Sequence, residues 1–233
     1  ERLLPSHEES AESNGSGIGR VLHRHKGRGR NVDLATLHRN PPEMAEAFCG
    51  TMESLLSTAK KVQNSRVILL TSPEKEDGKT AVSANLAIAL ASTGRRVLLI
   101  DGDMRRPRLH EVFHLPTRHG LDWVLRGEEP ISEETYLSGV VLATEVDGLH
   151  VLPTAVVEAR EIPSMLHSAR LTQLLARVRH DFDLVLIDTP PMMLVSDARV
   201  MNAHADGALL IFRAGKTTLE VAAAAPQCLR DDG

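Results

Sequence analysis

The sequence predicts an α/β fold: a parallel, twisted sheet with helices on both faces. Short apolar runs alternate with longer amphipathic stretches along most of the chain, which is the order of β–α–β units with right-handed crossovers. Four of the five strand candidates are apolar at consecutive positions, as in strands covered by helices on both sides. Polar residues with chemical potential follow these runs directly, at the strand ends where open α/β sheets bind ligands.

The elements follow in order along the chain. Pro41 and Pro42 precede an amphipathic helix whose apolar residues recur at three- and four-residue spacing as far as Val62. The strand candidates are the apolar runs at 67–70, 97–100, 150–152, 184–187 and 208–212. The helices predicted between and after them cover 79–92, 121–125, 164–179 and 217–229. Gly94 stands where a glycine would end the first of these helices.

Residues 1–40 differ in composition from the rest. They are rich in Ser, Gly, Arg and His without apolar periodicity, so we expect a flexible, basic and polar linker before a single domain at 41–233. Within the linker, Arg20–Arg30 holds five Lys and Arg residues and no acid. This stretch is either an ordinary solvated linker or a juxtamembrane segment attracted to anionic lipid.

The composition argues against several classes of protein. The formal net charge of −4 gives no electrostatic sign of a nucleic-acid partner, and no apolar run approaches the roughly 20 residues that cross a bilayer. Cys49 and Cys228 lie far apart and outside any C-x-x-C spacing, so we expect free thiols in a reducing compartment. The chain begins at Glu1 without a Met, and we expect it to be a piece of a longer protein.

The first motif lies between the first strand and its helix. Gly78-Lys79-Thr80 has the form of the end of a P-loop, or Walker A motif. Gly78 lets the backbone approach a phosphate, Lys79 can reach the β- and γ-phosphates, and Thr80 offers a hydroxyl to Mg²⁺. The alternative for this segment alone is an acidic turn followed by a helix with an exposed lysine.

The loop that leads into this motif is unusual for an anion site. Pro73 stands where the first glycine of a P-loop is usual. Glu74, Glu76 and Asp77 place three carboxylates beside the expected phosphate, and we expect all three to point to solvent.

Two further strand candidates end in carboxylates. Asp101 and Asp103 follow the second strand at i and i+2, where they point to the same side and can share a hydrated Mg²⁺. Asp188 ends the strand at 184–187 as a Walker B aspartate does, which holds Mg²⁺ directly or through water. Each aspartate alone could be a turn residue, but three such strand ends in one chain indicate a nucleotide site with Mg²⁺.

These motifs together resemble those of the bacterial tyrosine kinases (BY-kinases) of capsular and exopolysaccharide export, a branch of the MinD/ParA-like P-loop ATPases. The resemblance covers about residues 43–233 and includes Val67–Arg105, Gly120–Glu128, Asp188–Pro191 and Arg213–Thr217. Its most specific element is D-x-D-x-R at Asp101, Asp103 and Arg105, combined with D-x-x-P at Asp188–Pro191.

The resemblance implies a P-loop tyrosine kinase that uses ATP and Mg²⁺. Asp101 would accept the proton of the attacking hydroxyl and Asp103 would assist it, and with Lys79 they are the expected catalytic residues. The expected metal-binding residues are Thr80, Asp103 and Asp188. The expected nucleotide-binding residues are Asp77, Gly78, Lys79, Thr80, Ala81, Arg105 and Arg213.

The resemblance also implies partners and a location. It suggests ATP or ADP as ligands and a transmembrane polysaccharide co-polymerase, fused upstream or as a separate chain. Weak self-association is possible, and no nucleic-acid partner is expected. The domain would work at the cytoplasmic face of the bacterial inner membrane.

The sequence departs from the family pattern in one helix and two loops. The family uses E-x-x-R-x-x-R in the helix before the first strand for ring-like self-association, whereas here Glu46 is followed by Cys49 and Met52. Lys75-Glu76 replaces the usual Pro-Gly of the P-loop, and Glu161-Ile162-Pro163 replaces an asparagine-proline element.

The family's tyrosine-rich tail has no counterpart here. Tyr136 is the single tyrosine, and the chain stops about where a strand that helps to recognise adenine would begin. Three functions therefore remain open: a tyrosine autokinase cut short of its tail, a MinD/ParA-like ATPase without protein kinase activity, and a degenerate nucleotide-binding regulatory module.

Overall fold

The computed structural model describes Leu34 and residues 42–61, 67–127 and 137–231, with only part of the side chains of the first helix. The described residues belong to one compact unit, Asn31–Gly233. The predicted linker at 1–40, apart from Leu34, lies outside the described residues, as do Tyr136 and the side chain of Met52.

Within the described ranges the chain alternates helices and strands, as the sequence predicts. The helices are α1 (Pro42–Lys61), α2 (Lys79–Ala91), α3 (Leu109–Val112), α4 (Leu121–Arg126), α5 (Ile162–Leu166), α6 (Ala169–Asp181), α7 (Asp197–Asn202) and α8 (Leu219–Asp231). The strands are β1 (Val67–Thr71), β2 (Val97–Asp101), β3 (Leu142–Ala143), β4 (Leu149–Leu152), β5 (Leu184–Asp188) and β6 (Gly207–Leu210).

The six strands form one sheet in the order β3-β4-β2-β5-β1-β6. All neighbouring strands are parallel except β3, which pairs with β4 in the antiparallel direction at one edge. The α/β fold is therefore confirmed, with a short antiparallel edge strand added to a parallel sheet. The register pairs Asp101 with Asp188, so two of the predicted strand-end carboxylates lie side by side.

The core lies on both faces of this sheet, because successive residues of each central strand point to opposite sides. Val67 and Leu69 of β1 join the cluster that packs under α4, α5 and α6. Ile68 and Leu70 join the cluster under α2, and Phe48 of α1 packs against that second cluster. Burying each such side chain contributes about 1.5–3 kcal/mol, so two helical layers hold the strand ends in place.

Some predicted bounds are wrong. The helix expected at 164–179 is two helices, α5 and α6, because the chain between them turns at Ser168, whose extended backbone (ψ 150°) interrupts the helix. The last strand runs over Gly207–Leu210 instead of 208–212. The end of α2 is confirmed: Gly94 has φ +78°, and its N–H donates to the Ala91 carbonyl at 2.9 Å.

In the part of the chain that the structure describes, no helix combines the length and the apolar composition that a membrane span requires.

Candidate functional site

The loop between β1 and α2 brings a helix N-terminus to the edge of the sheet. Gly78 is the N-cap of α2 and has φ +94°, a left-handed conformation that glycine adopts without steric cost. Its carbonyl accepts the N–H of Val82 at 2.9 Å. The first N–H groups of α2 have no partner within the helix, so they are available to an anion.

Lys79 is a buried cation at this helix start. It is 8% exposed, and its Nζ donates to Ser72 Oγ at 3.1 Å. Burial lowers the pKa of Lys79, while the nearby carboxylates of Asp188 and Asp103 act in the opposite direction. A buried ammonium that donates to a neutral hydroxyl is well suited to pair with a phosphate group.

Asp188 joins the end of β5 to the first turn of α2. Its carboxylate accepts hydrogen bonds from Thr80 Oγ1 at 2.7 Å and from Ser83 Oγ at 2.9 Å. Burial raises the pKa of Asp188 to about 6, against the effect of the two hydroxyls. Thr80 and Asp188, both predicted as metal-binding residues, therefore lie in direct contact.

Asp101 is fully buried at the end of β2. One carboxylate oxygen accepts the N–H groups of Arg108 at 3.0 Å and Leu109 at 2.9 Å, and the other accepts the N–H of Asp103 at 3.3 Å. Burial, and then the neighbouring Asp188, raise the pKa of Asp101 well above its usual range. The carboxylate thus also anchors the start of α3.

Asp103 lies in the turn after β2. Its Oδ1 accepts the N–H groups of Arg106 at 3.0 Å and Arg105 at 3.2 Å. Burial raises its pKa, and the charge of Lys79 opposes this shift. Asp103 is therefore close enough to Lys79 to interact with it electrostatically.

Gly102 fixes the distance between the two strand ends. Its N–H donates to the Asp188 carbonyl at 2.7 Å, and a Cβ at this position would lie 2.9 Å from that same oxygen. A side chain would therefore push β2 away from β5, and only glycine allows this approach of the two backbones.

The expected exposure of the loop carboxylates is wrong for Asp77. The side chain of Asp77 is fully buried, with Oδ1 3.0 Å from Lys216 Nζ and Oδ2 accepting the Glu74 N–H at 3.1 Å. Lys216 also lies 3.5 Å from Glu74, which is half-buried, whereas Glu76 is exposed. Lys216, which is distant in the sequence, therefore neutralises the Asp77 carboxylate, which the local sequence alone predicts to be exposed to solvent.

Two arginines were predicted to bind the nucleotide, and in the structure both contact groups of the protein. Arg105 forms a two-bond fork with Asp197, at 2.7 and 2.9 Å, and Arg213 Nη1 donates to the Glu76 carbonyl at 3.0 Å. Ala81 lies in the first turn of α2, and its carbonyl accepts the side-chain amide of Asn85. Their contacts with a nucleotide stay predictions.

Four residues of the site were not predicted from the sequence: Ser72, Ser83, Asp197 and Lys216. Ser83 stands three residues after Thr80, so helical spacing places both hydroxyls on one face, and this signal was available. Asp197 belongs to a helix too short to give a periodic pattern. The partner of Lys216 lies 139 residues away, and no spacing rule links them.

A metal at this site would need ligands from outside the protein. Among the described residues, no group of three or more His, Cys, Asp and Glu side chains is arranged to hold a metal ion. Mg²⁺ commonly keeps several waters and binds one or two protein groups together with phosphate oxygens. The Thr80 hydroxyl and the Asp188 carboxylate fit that role.

The glycine-capped helix start, the buried lysine and the strand-end aspartate have the arrangement of a P-loop, and this places the domain among the P-loop nucleotide-binding proteins. The model of the AAA domain family matches residues 65–224. The tyrosine-protein kinase YwqD of Bacillus subtilis is 31% identical over 200 residues, which cover 86% of this chain and 80% of YwqD. The chain therefore belongs to the bacterial tyrosine-protein kinase family.

Several curated relatives are much longer than this chain. The tyrosine-protein kinase ptk of Acinetobacter johnsonii is 34% identical over 82% of this chain, but the match spans 25% of ptk. The chain thus covers about a quarter of the length of the first curated relatives it matches.

Solved structures confirm the fold. The kinase domain of the Escherichia coli tyrosine kinase ETK has a TM-score of 0.78 and 30% identity, with 91% of this chain and 79% of that domain covered. The cell division ATPase MinD of Pyrococcus furiosus has a TM-score of 0.60 and 29% identity, with 72% and 68% covered. The predicted MinD-like P-loop fold is confirmed.

Proposed function

We propose that this domain binds Mg-ATP and transfers its γ-phosphoryl group to a tyrosine hydroxyl of a protein substrate, as an autokinase domain. The observation that carries the proposal is the contact of Asp188 with Thr80 and Ser83, one strand away from the buried Asp101. A phosphate-binding helix start and a candidate base thereby share one edge of the sheet.

The proposed chemistry assigns one task to each side chain. Lys79 and the N–H groups of the first turn of α2 bind and orient the phosphates. Bound Mg²⁺ would supply neutralisation of phosphate charge, held by Thr80, Asp103 and Asp188. The tyrosine oxygen forms a bond to the γ-phosphorus while the bond from that phosphorus to the ADP oxygen breaks.

The proton of the tyrosine hydroxyl passes to Asp101. A base is needed because the phenol pKa of about 10 leaves the group protonated at neutral pH. Burial raises the pKa of Asp101, which makes its carboxylate a stronger base than that of a solvated aspartate. Asp103 would assist by orienting the same turn.

Substitution of Lys79 tests the nucleotide site. Lys79→Met removes the cation that pairs with phosphate but keeps an unbranched side chain, so we expect Mg-ADP affinity to fall by at least about tenfold. Calorimetric titration measures this. Lys75→Met is the matched control, because Lys75 is an exposed lysine of the same loop. Equal affinities of wild type and Lys79→Met would refute the site.

A second candidate function is ATP hydrolysis without protein phosphorylation. The likeness to the MinD ATPase favours it. Radiolabelled ATP and a tyrosine-rich peptide distinguish the two functions. A kinase gives phosphotyrosine on the peptide, and Asp101→Asn abolishes it. Little autophosphorylation is expected, because Tyr136 is the only tyrosine. Steady phosphate release without phosphotyrosine would overturn the kinase proposal.

We propose the wider role on the basis of the family. In the whole protein the domain would regulate polysaccharide polymerisation and export at the cytoplasmic face of the inner membrane, together with a transmembrane co-polymerase. The basic stretch Arg20–Arg30 would then lie beside anionic lipid.

A further inference from the structure

The loop between β6 and α8, here called the basic loop (residues 213–217), lies on the loop that precedes α2. Arg213 Nη1 donates to the Glu76 carbonyl at 3.0 Å. Lys216 Nζ donates to the Lys75 carbonyl and to Asp77 Oδ1, the latter at 3.0 Å. Two cations therefore contact three successive residues of the loop directly before Gly78.

One residue in this part of the phosphate-binding loop has an unfavourable backbone conformation. Glu76 has φ +63°, in the left-handed region that a residue with a Cβ adopts at a conformational cost. No glycine stands between Ser72 and Gly78 to adopt this turn freely. A strained turn persists when surrounding contacts hold it, and here the basic loop supplies contacts to its carbonyl groups.

The burial of Asp77 is a second reason why the loop before Gly78 needs contacts from another part of the chain. Its carboxylate is completely buried, and the next residue is the glycine that caps α2. Without Lys216 this carboxylate would be a buried charge beside the expected phosphate, and its rotation to solvent would move Gly78. The ion pair removes that charge and keeps the carboxylate inside.

We infer that Lys216 is a positioning residue of the phosphate-binding loop, which holds the left-handed turn at Glu76 and the buried Asp77 in the shape that receives a nucleotide. The inference rests on the proposed nucleotide binding. Lys216 acts through its contacts with Asp77 and the Lys75 carbonyl. Arg213 has the same effect on the Glu76 carbonyl.

The experiment compares Mg-ADP affinity in two backgrounds by calorimetric titration. In the wild-type background, Lys216→Met should weaken binding about tenfold, since it removes a charged hydrogen-bonding group from the loop. Lys216→Arg should recover most of the affinity. In the Glu76→Gly background, where glycine adopts the turn without strain, the same Lys216→Met change should cost less than about threefold.

Two controls distinguish a positioning role of Lys216 from a general effect of positive charge and from unfolding of the variant. Lys75→Met removes one positive charge from the same loop but keeps the Lys75 carbonyl, so it should change the affinity less than about twofold. Thermal unfolding of each variant without nucleotide measures its fold. If Lys216→Met proves unfolded, Lys216→Gln breaks the same ion pair with Asp77 but keeps a polar side chain, and its loss of affinity should show the same dependence on Glu76→Gly.

Equal losses of affinity in both backgrounds, or an equal loss in Lys75→Met, would overturn the inference while leaving nucleotide binding intact. Failure of the wild-type domain to bind Mg-ADP would instead overturn the proposed function, and the inference with it.

Discussion

At the scale of single residues, burial sets the charge state of the acids in the site. Asp188 is 2% exposed, and its pKa is raised to about 6 mainly by desolvation. An acid whose pKa rises on folding favours the folded state most when it is protonated. The contribution of Asp188 to stability is therefore lost as the pH rises from 3.8 through about 6.

We expect Asp188→Asn to show this effect in the domain without nucleotide or Mg²⁺. The variant lacks the carboxylate, so its unfolding free energy relative to wild type should increase between pH 5 and pH 7.5, by about 1.5 kcal/mol. Urea unfolding in a chelating buffer at both pH values measures the difference. Asp147→Asn, which changes an exposed carboxylate, is the control. A pH-independent difference for Asp188→Asn would contradict the assignment.

The meeting of polar side chains at the strand ends was predictable from the sequence, but the directions of the side chains in the loops were not. Lys79, Thr80 and Asp188 come together as predicted because parallel strands end at one edge of the sheet. The burial of Asp77 could not be predicted, because it depends on Lys216, a partner from the other end of the domain.

At the scale of elements, α7 is tied to the turn after β2. The Arg105 guanidinium forks onto both oxygens of Asp197, whose side chain is 2% exposed, in the first turn of α7. Such paired bonds to a buried carboxylate are among the stronger side-chain interactions. The fork joins the segment that carries Asp101 and Asp103 to the helix that follows the Asp188 loop.

Asp197→Asn should therefore lower the unfolding free energy by about 2 kcal/mol, because it leaves a partly buried guanidinium without its counter-charge. Glu111→Gln is the matched control: it breaks the exposed Arg108–Glu111 pair and should cost less than about 0.5 kcal/mol. Denaturant unfolding measures the unfolding free energy of both variants. Equal losses would show that the Arg105–Asp197 fork stabilises the fold no more than a surface ion pair does.

The long elements were predictable from periodicity, whereas several of the short ones were not. The central strands and α2 match their predicted positions closely, since each buries a continuous apolar run. The helices α3 and α7 and the strand β3 have two to six residues, fewer than a periodic pattern needs. The split between α5 and α6 at Ser168 was not predicted either.

At the scale of the whole molecule, the sequence of α1 leads to a prediction about self-association. Cys49 is exposed on α1, at a position where the family has an arginine of its ring-forming motif. We expect a monomer or a weak dimer, because neither Cys49 nor Met52 supplies that cation. Light scattering at micromolar concentration measures the mass, and Cys49→Arg with Met52→Arg should shift it upwards. A stable octamer of the wild-type chain would contradict this expectation.

The contact of the basic loop with the phosphate-binding loop also has a consequence for protein synthesis. The ribosome makes residues 71–80 well before Arg213 and Lys216, so the phosphate-binding loop lacks this support while the residues between them are being made. We expect the nucleotide affinity of the nascent chain to rise about tenfold once the basic loop has left the exit tunnel. We expect a nascent chain arrested before Lys216 to bind nucleotide no better than the full-length Lys216→Met variant.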